Sequence, residues 1–150
     1  MYPGMIALTM IVLPLLSIGT EYALAPDEDP VFLIGKWFVF WAVGVRLLLA
    51  GLRQIFDPAF TAATIFKIED PDARKVVVEL GFGNVAIASL ALLSVHWADW
   101  VTPAALVGAV FYGLAGLQHL RNRQRTGTEN IAMASDLWIA AIAIFYLTAA

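Results

Sequence analysis

Five apolar stretches, Tyr2 to Leu24, Val31 to Phe56, Val76 to Val95, Pro103 to Leu120 and Ile131 to Ala149, take up nearly the whole 150-residue chain. Each is close to the ~20 residues that a helix needs to cross the hydrocarbon layer of a bilayer. No other feature constrains the fold as tightly. A backbone surrounded by lipid must satisfy its hydrogen bonds internally, and a single apolar segment does so as a helix. The expectation is an all-α integral membrane protein with five transmembrane helices, forming one membrane-embedded bundle over residues 1–150. Composition agrees, since 61% of the residues are hydrophobic and 14% charged, against about half and about a quarter in soluble domains.

The absence of cysteine excludes disulfides, thiolate metal sites and thiol nucleophiles. A net charge of −3 selects no partner beyond the lipid bilayer and offers nothing to nucleic acid. The first stretch ends in Ala23-Leu24-Ala25, which has the small-residue form of a cleavage site. No basic residues precede it, and Glu21 and Pro26 flank the would-be cut, so a retained helix is expected.

Orientation follows from Lys and Arg in the short loops. Lys67, Arg74 and Lys75 join stretches two and three, and Arg121, Arg123 and Arg125 join four and five. Both loops lie on the side of the N-terminus. The opposite loops, 25-APDEDP-30 and 96-HWADWVTP-103, carry no Lys or Arg. The N-terminus is therefore expected inside and the C-terminus outside.

A capping residue precedes proline four times, at Asp29-Pro30, Asp57-Pro58, Asp70-Pro71 and Thr102-Pro103. Three of these are expected to open membrane spans, the side-chain oxygen taking an orphan N–H while proline occupies the first turn. Asp57-Pro58 would instead end span two and start a short interfacial segment over about 58–69. Thr126 with Glu129 has the form of a capping box. Trp97 and Trp100 suit the outer aromatic belt, Glu21 is placed to pair with Lys36, and Pro14 should kink span one. Ala105, Ala109 and Gly113, with Ala132, Asp136 and Ala140, make small-residue stripes of the kind that let helices approach in lipid.

Polar residues gather in one half of the bundle. Arg53 falls near the inner interface and Arg46 about two turns deeper. Glu79 lies about two turns into span three, with Asn84 beyond it. His119 stands at the inner boundary, while Tyr112 and Asp136 lie roughly 9–14 Å inside, at about 1.5 Å per residue. Arg46, Ala50, Arg53 and Asp57 share one helical face, as do Glu79, Gly83 and Ala86, and Gly108, Tyr112, Gly116 and His119. Glu79 and Asp136 are the expected partners of Arg46, since an unpaired charge at that depth costs about 2.5–3.5 kcal/mol or more. Two arginines balance two carboxylates, which suits a structural ion-pair network. The same groups suit a cytoplasm-facing site for a polar or anionic ligand. A metal held by Glu79, His119 and Asp136 has no motif spacing behind it, and His96 and His119 lie at opposite membrane faces.

The runs 46-RLLLAGLRQIFDPAFTAATIF-66 and 78-VELGFGNVAIASLALLS-94 resemble the first two helices of DoxX-like small membrane proteins. In those proteins an arginine-bearing, glycine-rich helix ends in a DPAxF-like turn and the next begins with a glutamate. The pieces 111-FYGLAGLQHLRNR-123 and 129-ENIAMASDLW-138 are more similar to an uncharacterised bacterial family related to that group. The resemblance implies a four-helix core preceded by one extra helix, in the bacterial cytoplasmic membrane. It also implies kinship with subunits of quinone-linked oxidoreductases and membrane redox assemblies. No quinone site is reproduced residue by residue, and no cofactor is required by the sequence.

Two functions compete. One is an accessory or assembly subunit of a membrane complex, whose partners are other membrane subunits or further copies of the chain. The other is a binder or carrier of a small anionic or quinone-like molecule using Arg46, Arg53, Glu79, Asn84, Tyr112, His119 and Asp136. No serine elbow, phosphate loop or dinucleotide fingerprint supports an enzyme.

Overall fold

The computed structural model describes residues 3–122 and 125–150. Five helices are long and apolar enough to cross a membrane: α1 (Pro3–Leu24), α2 (Pro30–Phe56), α4 (Ala73–Leu93), α5 (Val101–Arg121) and α6 (Gly127–Ala149). A short α3 (Pro58–Phe60, running on as Thr61–Phe66) links α2 to α4, and no strand occurs among the described residues. Tyr2, the expected start of span one, and Arg123 of the basic loop lie outside the described residues.

The starts of the helices depart from expectation in instructive ways. Asp29 caps α2 by accepting from the Val31 N–H at 2.9 Å, and Asp57 caps α3 through the Phe60 N–H at 3.3 Å. The capping box of α6 is formed, with the Thr126 N–H donating to Glu129 Oε2 at 2.6 Å and the Glu129 N–H donating to Thr126 Oγ1 at 3.3 Å. Asp70, however, closes only a local turn on the Asp72 N–H, and α4 begins at Ala73 beyond it. Thr102 is already inside α5, where its hydroxyl meets the Tyr146 hydroxyl at 3.1 Å rather than capping anything. Pro103 is tolerated there because the N–H it lacks is one of the first few that have no intrahelical acceptor. At the other end of α5, Arg125 folds back and donates from one guanidinium nitrogen to the carbonyls of His119, Leu120 and Asn122. The same arginine is one of the positive charges behind the expected orientation. It is also a cap for carbonyls left open where the helix stops.

Two of the long helices contain a wider π turn. In α1 it spans Leu8–Val12, directly before Pro14, with the Leu13 N–H reaching the Leu8 carbonyl. The proline that was expected to kink the helix is thus accommodated by a local widening of its N-terminal neighbour. In α2 the wide turn spans Val39–Val45 and ends at Arg46.

Lipid tails are as apolar as leucine, so burial alone gives these helices little reason to associate, and close contact must supply the attraction. Close approaches are made where glycine removes the side chain. A Cβ placed on Gly51 would lie 2.8 Å from the Gly81 carbonyl oxygen, and one on Gly81 would lie 2.9 Å from that of Gly51. The α2 and α4 backbones therefore touch. Gly108 admits Val43, and Gly116 admits Leu137. Gly35 admits the Tyr146 ring. Ala105 and Ala109 are buried, and the stripes foreseen on α5 and α6 touch at Gly113 and Ala140. In α3, Thr61 and Ala62 are buried, which fixes this short element against the bundle, while Lys67 ends it with φ at 56°.

Candidate functional site around Arg46

Arg46 is 6% exposed, held between three helices. Its Nη1 donates to Asp136 Oδ1 of α6 at 3.0 Å, and its guanidinium lies over the Tyr112 ring of α5 with 5.0 Å to the ring centre. Asp136 and Tyr112 are also buried. Cation and carboxylate neutralise each other, and the ring face adds a further favourable contact with the cation.

The backbone beneath the arginine belongs to the same arrangement. In a regular helix the Arg46 N–H would donate to the Ala42 carbonyl; through the π turn it donates to the carbonyls of Trp41 and Val43 instead. The Tyr112 hydroxyl donates to that Ala42 carbonyl at 2.7 Å. Tyr112 thus uses its ring for the charge and its hydroxyl for the carbonyl that Arg46 bypasses. Tyr112→Phe is expected to leave the ring contact intact while removing the side-chain donor that Ala42 has among the described residues. The resulting loss of about 1–3 kcal/mol should be read by thermal unfolding in detergent.

Relative depth explains why Asp136 is the partner. With α6 starting at Gly127, Asp136 lies nine residues in, about 14 Å from that end at 1.5 Å per residue. Arg46, ten residues from Phe56, lies about 15 Å from the same side, and Tyr112, nine from Arg121, about 14 Å.

Glu79 does not join the cluster, which corrects the expectation that it pairs with Arg46. Gly44 packs on Leu92 and Gly51 on Gly81 and Val85, so Glu79 lies level with the end of α2 rather than with Arg46. It is also on the outward face: Glu79, Gly83 and Ala86 are all exposed. The buried face of α4 is Val77, Gly81, Asn84, Ala88 and Ala91. The metal arrangement of Glu79, His119 and Asp136 is not assembled among the described residues.

The other candidates disperse. Arg53 is half exposed, 3.7 Å from Asp57 and with its guanidinium 3.9 Å from the Phe60 ring centre. It ties the end of α2 to the start of α3, and such an exposed pair contributes under ~1 kcal/mol. Asn84 is buried in the seam between α2 and α4, donating from Nδ2 to Gln54 Oε1 at 2.8 Å. Gln54 was not singled out in the sequence, although its position one residue beyond Arg53 could have marked it. His119 is half-buried near the end of α5, and its carbonyl is one of those taken by Arg125. A void of about 10 Å³ between α2, α5 and α6 and a larger groove between α1 and α2 both lie apart from Arg46, Tyr112 and Asp136. The cluster is a closed, neutral knot.

No curated protein and no solved structure matches the chain. None of the comparisons links it to the DoxX-like proteins. One family model does match, over residues 4–150 and therefore across all five helices, and by that match the chain belongs to the Family of unknown function (DUF6790).

Proposed function

We propose that the protein is an accessory or assembly subunit of a larger membrane complex, with a redox assembly as the setting its DoxX-like motifs suggest. The observation that carries this reading is the closure of the Arg46 cluster. The charge deepest in the bundle is neutralised by Asp136, stacked on Tyr112 and adjoined by neither cavity, so its effect is to hold α2, α5 and α6 in one arrangement. Such a rigid bundle presents outward features that its own helices do not use, among them Glu79 and Gly83 on α4. We place the N-terminus inside, with Lys67, Arg74, Lys75, Arg121 and Arg125 on the cytoplasmic face of a bacterial inner membrane. Solubilisation in a mild detergent followed by native electrophoresis and sizing tests this reading. A particle larger than the 16.3 kDa chain with a defined second component is expected. A lone monomer would count against it.

A second reading, the carrier of a small quinone-like or anionic molecule, has one observation in its favour. Asn84 Oδ1 is buried and meets no donor among the described residues. A hydroxyl or amide donor on a ligand in the α2–α4 seam would satisfy it. Asn84→Leu separates the two readings: it should leave assembly intact and abolish ligand retention if the carrier reading holds.

A further inference from the structure

Away from Arg46, at the end of the bundle that carries the 25–29 turn, α1 and α2 diverge and leave an open groove of about 410 Å³. Its walls are Leu16, Ser17, Thr20 and Leu24 of α1 and Lys36 and Trp37 of α2, with Glu21 between them. The volume is within the usual range for small-molecule sites, about 300–1,000 Å³. From Leu16 to Leu24 the groove runs eight residues, about 12 Å along α1. It is apolar at its flanks and charged within.

The charges are ordered. Glu21 accepts from Lys36 Nζ through one oxygen and from Trp37 Nε1 through the other, each at 2.6 Å. Lys36 Nζ also lies 5.1 Å from the Trp37 ring centre. One bond to Glu21 accounts for one of the three ammonium protons, and the others have no acceptor among the described residues. Each Glu21 oxygen keeps a second lone pair. The site therefore offers donors of positive charge and acceptors of negative charge side by side, sums to zero, and opens sideways between two helices that face lipid.

We infer that this groove is a lipid site selective for a glycerophospholipid with an ethanolamine headgroup. The phosphate would take the free Lys36 protons, the primary ammonium would donate to Glu21, and the acyl chain would follow Leu16 and Leu24. Charge complementarity selects this occupant. A zwitterion with both a phosphate and N–H donors matches a neutral Lys–Glu pair. A choline headgroup has the phosphate but no N–H to donate. A glycerol headgroup has hydroxyls but brings an uncompensated negative charge into a partly desolvated groove. The inference is independent of the proposed function, since a lone monomer or a subunit could hold the lipid equally well.

The test is native mass spectrometry of the full chain in mild detergent with equal amounts of dioleoyl phosphatidylethanolamine, phosphatidylcholine and phosphatidylglycerol. About tenfold preferential retention of the ethanolamine lipid is expected, the size of one charge-assisted hydrogen bond. Glu21→Gln should abolish the preference. Thr20→Phe guards against loss of fold: Thr20 is exposed and its hydroxyl donates within α1, to the Leu16 carbonyl. A phenylalanine there occupies groove volume and leaves Glu21 and Lys36 unaltered in the sequence. Its thermal unfolding should match the wild type while ethanolamine-lipid retention falls to that of the choline lipid. Equal retention of the three lipids, a preference for the glycerol lipid, or a preference that survives Thr20→Phe would each overturn the inference.

Discussion

Asp136→Ala is expected to lower the stability of the bundle by about 3–5 kcal/mol, because it leaves the Arg46 guanidinium buried without a counter-charge. Arg46 is 6% and Asp136 5% exposed, so neither can turn to water without opening the helices around it. Unfolding of the purified protein in mixed micelles, titrated with a denaturing detergent, gives the measurement. The informative comparison is Arg46→Met with Asp136→Leu in one chain. Breaking a buried pair is costly, whereas replacing both members with apolar side chains of similar volume is often neutral. The double variant should therefore recover most of the loss, and Tyr112 should still reach the Ala42 carbonyl across the π turn. Recovery of stability together with unchanged assembly would identify the ion pair as structural. Recovery of stability with loss of a ligand-dependent property would move the argument toward the carrier reading. If Asp136→Ala alone costs under ~1 kcal/mol, the account of a desolvated pair is wrong.

Gly81→Ala is the second large effect, and it acts through the backbone. The added methyl carbon would stand 2.9 Å from both the Gly51 carbonyl oxygen and Ile55 Cγ1, closer than such atoms approach, and 3.1 Å from Gln54 Cβ. A flexible side chain could move aside; a helical carbonyl cannot without shifting α2. The expected loss is about 1–3 kcal/mol, the usual cost of overpacking. It should be accompanied by weakening of the Asn84–Gln54 hydrogen bond one turn away. Gly83→Ala is the matched control two residues along α4. Nothing lies within 4 Å of its built Cβ. Replacing a helical glycine there should be neutral or stabilising by up to ~1 kcal/mol. The two substitutions are chemically identical and differ only in which face of α4 they occupy. Equal effects at both positions would show that α4 does not pack as described.

That same pair of glycines shows what was legible in the chain and what was not. Both lie in 78-VELGFGNVA-86, and each has a small-residue partner at helical spacing: Gly83 with Glu79 and Ala86, Gly81 with Asn84 and Ala88. Reading by charge favoured the first face, since a carboxylate in a membrane helix is expected to find a partner. The structure buries the second. In a soluble protein the hydrophobic pattern would have decided between them. Here lipid is as apolar as the interior, so a buried face and a lipid-facing one can carry the same residues. The Arg46–Asp136 pair was legible in part, as one of two pairings open to Arg46. Few charged residues are available at that depth, and an intramembrane charge restricts its own partners. The Tyr112 hydroxyl on Ala42 had no sequence signal, because nothing local in 39-VFWAVGV-45 announces a π turn.

The sequence by itself determined the number of spanning helices, their approximate ends, the capping of α2, α3 and α6, and that Arg46 needs a buried carboxylate partner. Each follows from short-range rules: the length needed to cross a bilayer, the orphan N–H groups at a helix start, and the cost of an isolated charge in hydrocarbon. Only the tertiary structure decided that Asp136 and not Glu79 supplies that partner, which face of α4 turns inward, how far α4 extends past α2, where the π turn lets Tyr112 in, and that α1 and α2 part around Glu21 and Lys36. Those depend on how backbones slide and rotate against one another. In lipid that choice is made by close fit at a few glycines and by hydrogen bonds between helices, which one strand of sequence does not record.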